Sequence, residues 1–187
     1  MPDLELKALV EQARGGDEAA FERLYERFER SVYSLCRRLL TDDSTAEDAS
    51  QAVWLAVWQS LGALRQPEAF SSWLRQTTVR VCGRSQRRRR WWSWWSEVED
   101  DSGLALDPAD ETPPTGEALA RGEHAEAVRA ALERLSPEHR EVVVLHHLEG
   151  LGVGEIAATL GVATGTVKSR LGRARAHLAR LLAPTVE

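Results

Sequence analysis

The chain has 187 residues, 43% of them apolar, which suits one medium domain or two small ones with compact cores and excludes a globally disordered protein. Its 24 basic and 29 acidic side chains give a formal charge of −5, which taken as a mean argues against a nucleic-acid binder. No apolar run reaches the length of a membrane span and the first residues are acidic and amphipathic, so the expectation is a cytoplasmic protein with no membrane partner.

The mean charge hides a segregated pattern. Residues 84–90 hold Arg84, Arg87, Arg88, Arg89 and Arg90 with no acid, whereas 97–117 hold eight acids and no base. In chain order, the spacing predicts helices over 3–13, 17–40, 44–61 and from 67 to about 90. The second is the clearest: Phe21, Leu24, Phe28, Val32, Leu35, Cys36 and Leu39 trace one face, with Glu and Arg on the other. Ser44 or Thr45 is expected to cap the third helix, whose apolar side carries Val53, Trp54, Val57, Trp58 and Leu61. Pro67 suits the first position of the helix that follows.

From Phe70 to Trp95 the chain combines arginines with aromatic rings. That combination suits single-stranded nucleic acid, because rings stack on bases while guanidinium groups follow the backbone. Trp73 fits a core position. Trp91, Trp92, Trp94 and Trp95 are open to packing back on the domain, to a partner contact or to stacking on DNA, with the first two preferred. Residues 96–117 are acidic and broken by Pro108, Pro113 and Pro114, as expected of a flexible linker.

A second helical unit is expected from 118, with Ser136 and Pro137 opening a helix that Gly150 closes. Residues 155–178 then read as a helix-turn-helix. Ile156, Ala157 and Leu160 mark one apolar stripe, Val167, Leu171, Ala174 and Leu178 the next, and Gly161 the turn between them. Thr164 is the expected N-cap of the second helix, whose outer face presents Lys168, Arg170, Arg173, Arg175 and Arg180 beside Thr166 and Ser169, with no acid. Arginine reads guanine or clamps phosphate, so this helix is expected in a major groove. The fold class is therefore all-α: two small helical domains, 1–95 and 118–187, joined by an acidic flexible linker at 96–117.

No catalytic, cofactor or metal constellation stands out, and no small-molecule substrate is implied. Cys36 and Cys82 lie within apolar helical patterns without ligand spacing and read as buried free thiols. His146 and His147 are adjacent, so they are expected to diverge on a helix.

Two collinear blocks resemble a known family. GDEAAFERLYERFERSVYSLCRRLL, AEDASQAVWLAVWQ and FSSWLRQTTVRVCGRSQRRRR resemble region 2 of bacterial sigma factors of the sigma-70 type, extracytoplasmic-function (ECF) group, and LERLSPEHREVVVLHHLEGLGVGEIAATLGVATGTVKSRLGRARAHL resembles region 4. The resemblance implies core RNA polymerase and promoter DNA as partners, with an anti-sigma factor as regulator. It places Glu47, Asp48 and Gln51 on the polymerase. It places Phe70, Ser71, Arg75, Arg80, Arg84 and Arg87 on the minus-ten element, melted to single strands, and Thr164, Thr166, Lys168, Ser169, Arg170, Arg173 and Arg175 on the duplex minus-thirty-five element. Ala52 stands where the family commonly has an acid, so one polymerase contact is missing. A dimeric helix-turn-helix regulator and a sigma-like interaction module without initiation activity are the alternative functions.

Overall fold

The computed structural model describes residues 2–96 and 127–182, with side chains placed for 4–88 and 127–181. Every regular element among them is helical: α1 (Pro2–Arg14), α2 (Glu18–Leu39), α3 (Asp43–Ser60), α4 (Phe70–Ser96), α5 (127–133), α6 (Pro137–Val143), α7 (Val153–Leu160) and α8 (Thr164–Leu182). Short 3₁₀ turns at Leu61–Ala63 and Pro67–Ala69 join α3 to α4, and a π-helical turn, Val144–Leu148, continues α6. The expected linker falls outside the described residues except for Ser96, which ends α4; residues 118–126 and the side chains of Trp91, Trp92, Trp94 and Trp95 also lie outside them.

Helix α2 forms where its stripe demands. Leu24, Val32, Leu35, Cys36 and Leu39 are buried, and Asp17 caps the start by accepting from the Ala20 N–H at 3.1 Å. The cap of α3 differs from expectation. Asp42, not Ser44 or Thr45, is the N-cap: its carboxylate accepts the Thr45 N–H at 2.8 Å and the Ser44 hydroxyl at 3.0 Å. An ionised carboxylate is the stronger acceptor for orphan N–H groups at a positive helix end, which leaves the two hydroxyl residues as donors to it.

Helices α2, α3 and α4 pack into a bundle with α1 laid against α2, around fully buried Leu24, Val53, Val57 and Phe70. Truncating a buried leucine such as Leu24 to alanine costs about 2–5 kcal/mol through lost transfer energy and the cavity left behind. In the C-terminal unit Val142, Leu145, Ile156 and Val167 are fully buried, and α8 packs on both α6 and α7. Gly161 takes φ 67° and ψ 36°, a left-handed conformation that glycine adopts without a Cβ penalty, so α7 stops sharply and the chain turns into α8. Helix α8 starts one residue earlier than expected. Thr164 is already helical and the Ala163 carbonyl accepts from Thr166 and Val167, so Ala163, rather than Thr164, holds the cap position. The buried side chains of both units form one continuous cluster.

Candidate functional site

Three surfaces carry the residues picked out in the sequence. On α3, Ala46, Ala49 and Val53 turn inward, which leaves Glu47, Asp48 and Gln51 exposed. Glu47 and Gln51, one turn apart, line a shallow cavity of about 340 Å³ together with Tyr25, Glu29 and Tyr33 of α2. Asp48 sits one position round the helix and borders a different groove, shared with Ala52 of α3 and Arg84 and Arg88 of α4. The acidic face is thus split between two grooves. Ala52 opens the second of these, because no side chain beyond Cβ fills the position one turn after Asp48. The α2 residues were missed in the sequence, although Tyr25, Glu29 and Tyr33 recur at four-residue spacing off the main apolar stripe.

An aromatic cluster continues that surface. The Phe21 and Trp58 rings meet edge to face at 4.8 Å between centroids, and Tyr25 lies 5.0 Å from Trp54. Trp58 is 46% exposed and Trp54 is buried with its indole N–H lacking a partner among the described residues. Trp58, expected on the apolar side of α3, packs on Phe21 of α2 with one side of its ring and leaves the rest exposed.

On α4 the expected DNA set divides. Ser71, Arg80, Arg84 and Arg87 are exposed, and Arg75 is half-buried. Phe70 is a correction: it is fully buried, with its ring 5.5 Å from Phe28 and 6.0 Å from Trp73, so its surface is already spent on the core and no face remains for a base. Trp73 packs partly buried against the same cluster, as expected. On α8, Val167, Leu171 and Ala174 are buried, which turns Lys168, Ser169, Arg173 and Arg175 to the outside with Thr164; Thr166 and Arg170 are half-buried. The Ser169 hydroxyl donates to the Thr166 carbonyl at 3.0 Å and so is held back along its own helix.

Contacts between the two units recruit residues the sequence did not single out. Arg140 of α6 is buried, and its guanidinium donates to the carbonyls of Leu132, Glu133 and Leu135 at 2.8–3.0 Å and of Leu39, the last residue of α2, at 3.2 Å. Burial pulls its pKa below the ordinary guanidinium value, with Glu133 opposing. Glu149 accepts from Arg38 at 2.9 Å and lies 3.4 Å from Arg75 Nε. Burial raises the Glu141 carboxyl above its ordinary value, against the pull of Arg170, while Glu138 adds to the rise and Arg87 opposes it.

Cys36 and Cys82 are buried free thiols, as expected, and the Cys82 thiol donates to Cys36 Sγ at 3.6 Å. That hydrogen bond and burial push the Cys82 pKa far upward, so its sulfur does not present the thiolate needed for nucleophilic chemistry. His146 and His147 do not diverge. The π-helical turn narrows the angle between successive side chains, and the two rings meet at 4.7 Å between centroids. Among the described residues no group of three or more His, Cys, Asp or Glu side chains could hold a metal ion, and no helix is long and apolar enough to cross a membrane.

A helical bundle with an exposed acidic and aromatic face, followed by a helix-turn-helix with a basic outer face, defines a two-module, all-helical DNA-binding protein. Residues 24–92 match the family described as sigma-70 region 2, and 125–178 match sigma-70, region 4. The ECF RNA polymerase sigma factor SigM of Mycobacterium tuberculosis (strain ATCC 25618 / H37Rv) is 36% identical over 167 residues, 89% of this chain and 79% of that protein. The chain belongs to the ECF RNA polymerase sigma factors, a family of transcription initiation factors rather than enzymes. RNA polymerase sigma factor CarQ of Myxococcus xanthus is 31% identical, covering 92% of this chain and 95% of that one. Among solved structures, CnrH in complex with the cytosolic domain of CnrY superposes with a TM-score of 0.62 at 27% identity, over 95% of this chain and 96% of that one. The sigma factor RpoE in complex with the anti-sigma factor NepR, from Bartonella quintana, shares the fold with a TM-score of 0.64 at 23% identity, over 88% of this chain and 98% of that one.

Proposed function

We propose that this chain binds core RNA polymerase through the α3 face, with Glu47, Asp48 and Gln51 as its polar contacts and Tyr25, Glu29 and Tyr33 as neighbours on α2. The polymerase is thereby directed to specific promoters. The N-terminal module, 1–95, holds the melted minus-ten strand with Ser71, Arg75, Arg80, Arg84 and Arg87, which offsets part of the cost of unstacking bases. The C-terminal module, 118–187, seats α8 in the major groove of the minus-thirty-five duplex with Thr164, Thr166, Lys168, Ser169, Arg170, Arg173 and Arg175. Residues 96–117 tether the two, so that binding by one module raises the effective concentration of the other.

One observation carries the reading. The two surfaces with these chemistries lie in one chain in the order and at the positions of regions 2 and 4. The chain has no catalytic step of its own, acts in the cytoplasm and takes an anti-sigma factor as a further partner, in keeping with the complexes formed by its structural relatives. Neither the dimeric regulator nor the inactive interaction module has an observation in its favour. Run-off transcription with core polymerase is the test: promoter-specific transcripts must depend on the chain and fall sharply with Glu47→Ala/Gln51→Ala. Equal transcription with and without the chain would sink the proposal.

A further inference from the structure

Cys36 and Cys82 are the chain's two cysteines, and the fold brings them together on neighbouring helices from 46 positions apart. Both are fully buried, and the Cys82 thiol donates to Cys36 Sγ at 3.6 Å. A disulfide holds its sulfurs about 2.0 Å apart, so closure asks for a shift of roughly 1.6 Å shared between two side chains and their backbones. The backbone beside Cys82 can give. Gly83 follows it inside α4, where a glycine weakens the helix, and the atoms nearest to the place of a Cβ there are the side-chain ends of Arg87 and Glu141, from 3.6 Å. Cys36 lies in the last turn of α2, where its carbonyl accepts from the Leu40 N–H at 2.8 Å.

A small oxidant has a way in. A cavity of about 200 Å³ opens between α2 and α4, with the exposed Ser31 and Ser71 at its edge and Val32, Leu35 and Thr78 among its walls. Val32 and Thr78 stand one turn before Cys36 and Cys82 on the same helix faces, so the cavity ends within a turn of both sulfurs. The Thr78 hydroxyl donates to the Leu74 carbonyl at 2.9 Å, and a hydroxyl that donates still accepts, which gives a water-sized guest a polar foothold above the thiols. Hydrogen peroxide is scarcely larger than water and meets that limit.

We infer that Cys36 and Cys82 form an oxidation site for peroxide, closing into an intramolecular disulfide that ties α4 to α2. The inference is independent of the polymerase and promoter roles. Cys36 reacts first, because its sulfur is the acceptor of the pair while Cys82 keeps its proton. Cys36 Sγ attacks one peroxide oxygen, the O–O bond breaks, and water leaves behind a sulfenic acid. The Cys82 thiol, already aimed at Cys36, then hands its proton to the sulfenic oxygen as its sulfur attacks Cys36 Sγ; the S–O bond breaks and a second water leaves. Two thiols are oxidised and one peroxide is reduced to two waters. The new bond lies one turn before the hydrogen bond from Gln86 to the Leu39 carbonyl, 2.8 Å long, so both ties between the helices fall where the arginine run of α4 begins. A link between positions 46 apart removes freedom from the unfolded chain, which makes the oxidised module harder to unfold.

The test exposes the folded full chain to a modest molar excess of hydrogen peroxide. Mass spectrometry without reduction is expected to show a monomer lighter by two hydrogen atoms, and a tryptic digest to join peptide 31–37 to peptide 81–84. The melting temperature is expected to rise by at least about 5 °C and to return with dithiothreitol. Cys36→Ala and, independently, Cys82→Ala are expected to show neither the link nor the rise; should either fail to fold, the peptide map and the reversible melt of the parent decide alone. Sulfinic acid on a single cysteine, a disulfide between two chains, or a link that forms only after unfolding in urea overturns the inference, as does a treated chain with both thiols still free.

Discussion

Arg140 shows how one side chain can hold a junction. Its guanidinium donates to carbonyls at the end of α5, in the turn after it and at the end of α2, where helix termini leave carbonyls without intrahelical donors; the Leu132 oxygen also accepts from the Leu135 N–H and the Leu39 oxygen from Gln86. Replacing it with leucine removes the donors and leaves the acceptors, so Arg140→Leu is expected to cost about 3 kcal/mol, read from the shift in a urea unfolding midpoint. Glu141 has the opposite balance. Because burial raises its folded-state pKa, its contribution to stability is complete below the ordinary value of 4.5 and is lost as pH rises through the folded value. Glu141→Gln is expected to be more stable than the parent at pH 7, with the advantage vanishing by about pH 4 in thermal melts. A parent and variant that keep the same difference at both pH values would contradict this. Neither residue could be picked from sequence, because an isolated Arg or Glu near a helix start reads as solvated surface until its neighbours are known.

Among the elements, α2 and α8 were the most legible, because each places its apolar residues on one stripe and its charges opposite. The caps were less so. In the run Thr41-Asp42-Asp43-Ser44 every side chain can cap a helix, and the choice of Asp42 follows from which carboxylate reaches the Thr45 N–H. Asp42→Ala is expected to cost about 1 kcal/mol in thermal or chemical unfolding, whereas Ser44→Ala is expected to cost much less. Packing decided the burial of Phe70 and the partial exposure of Trp58. Phe70 faces Phe28 across the bundle, while Trp58 meets only the edge of α2 at Phe21 and stays 46% exposed.

For the whole molecule, the ion pairs between the two units and the charge of −5 act in the same direction. A chain of net negative charge gains little from non-specific attraction to DNA, and its arginines are partly neutralised within the fold. The free chain is therefore expected to bind promoter DNA much more weakly than its complex with core polymerase does, in anisotropy titrations at matched salt. Tight and specific binding by the chain alone would count against the division of labour between the modules.

The sequence by itself determined the helical class, the two matched regions, the helix-turn-helix with its Gly161 turn, and the burial of both thiols. Those properties follow from periodicity and local chemistry over one or two turns. Tertiary structure alone decided that Glu47 and Gln51 share a cavity with α2 while Asp48 borders α4. It also decided that Phe70 belongs to the core and that Glu149 finds Arg38 across 111 positions of chain. The face a helix presents is written in its own spacing, but the partner that meets that face is set by how the helices pack.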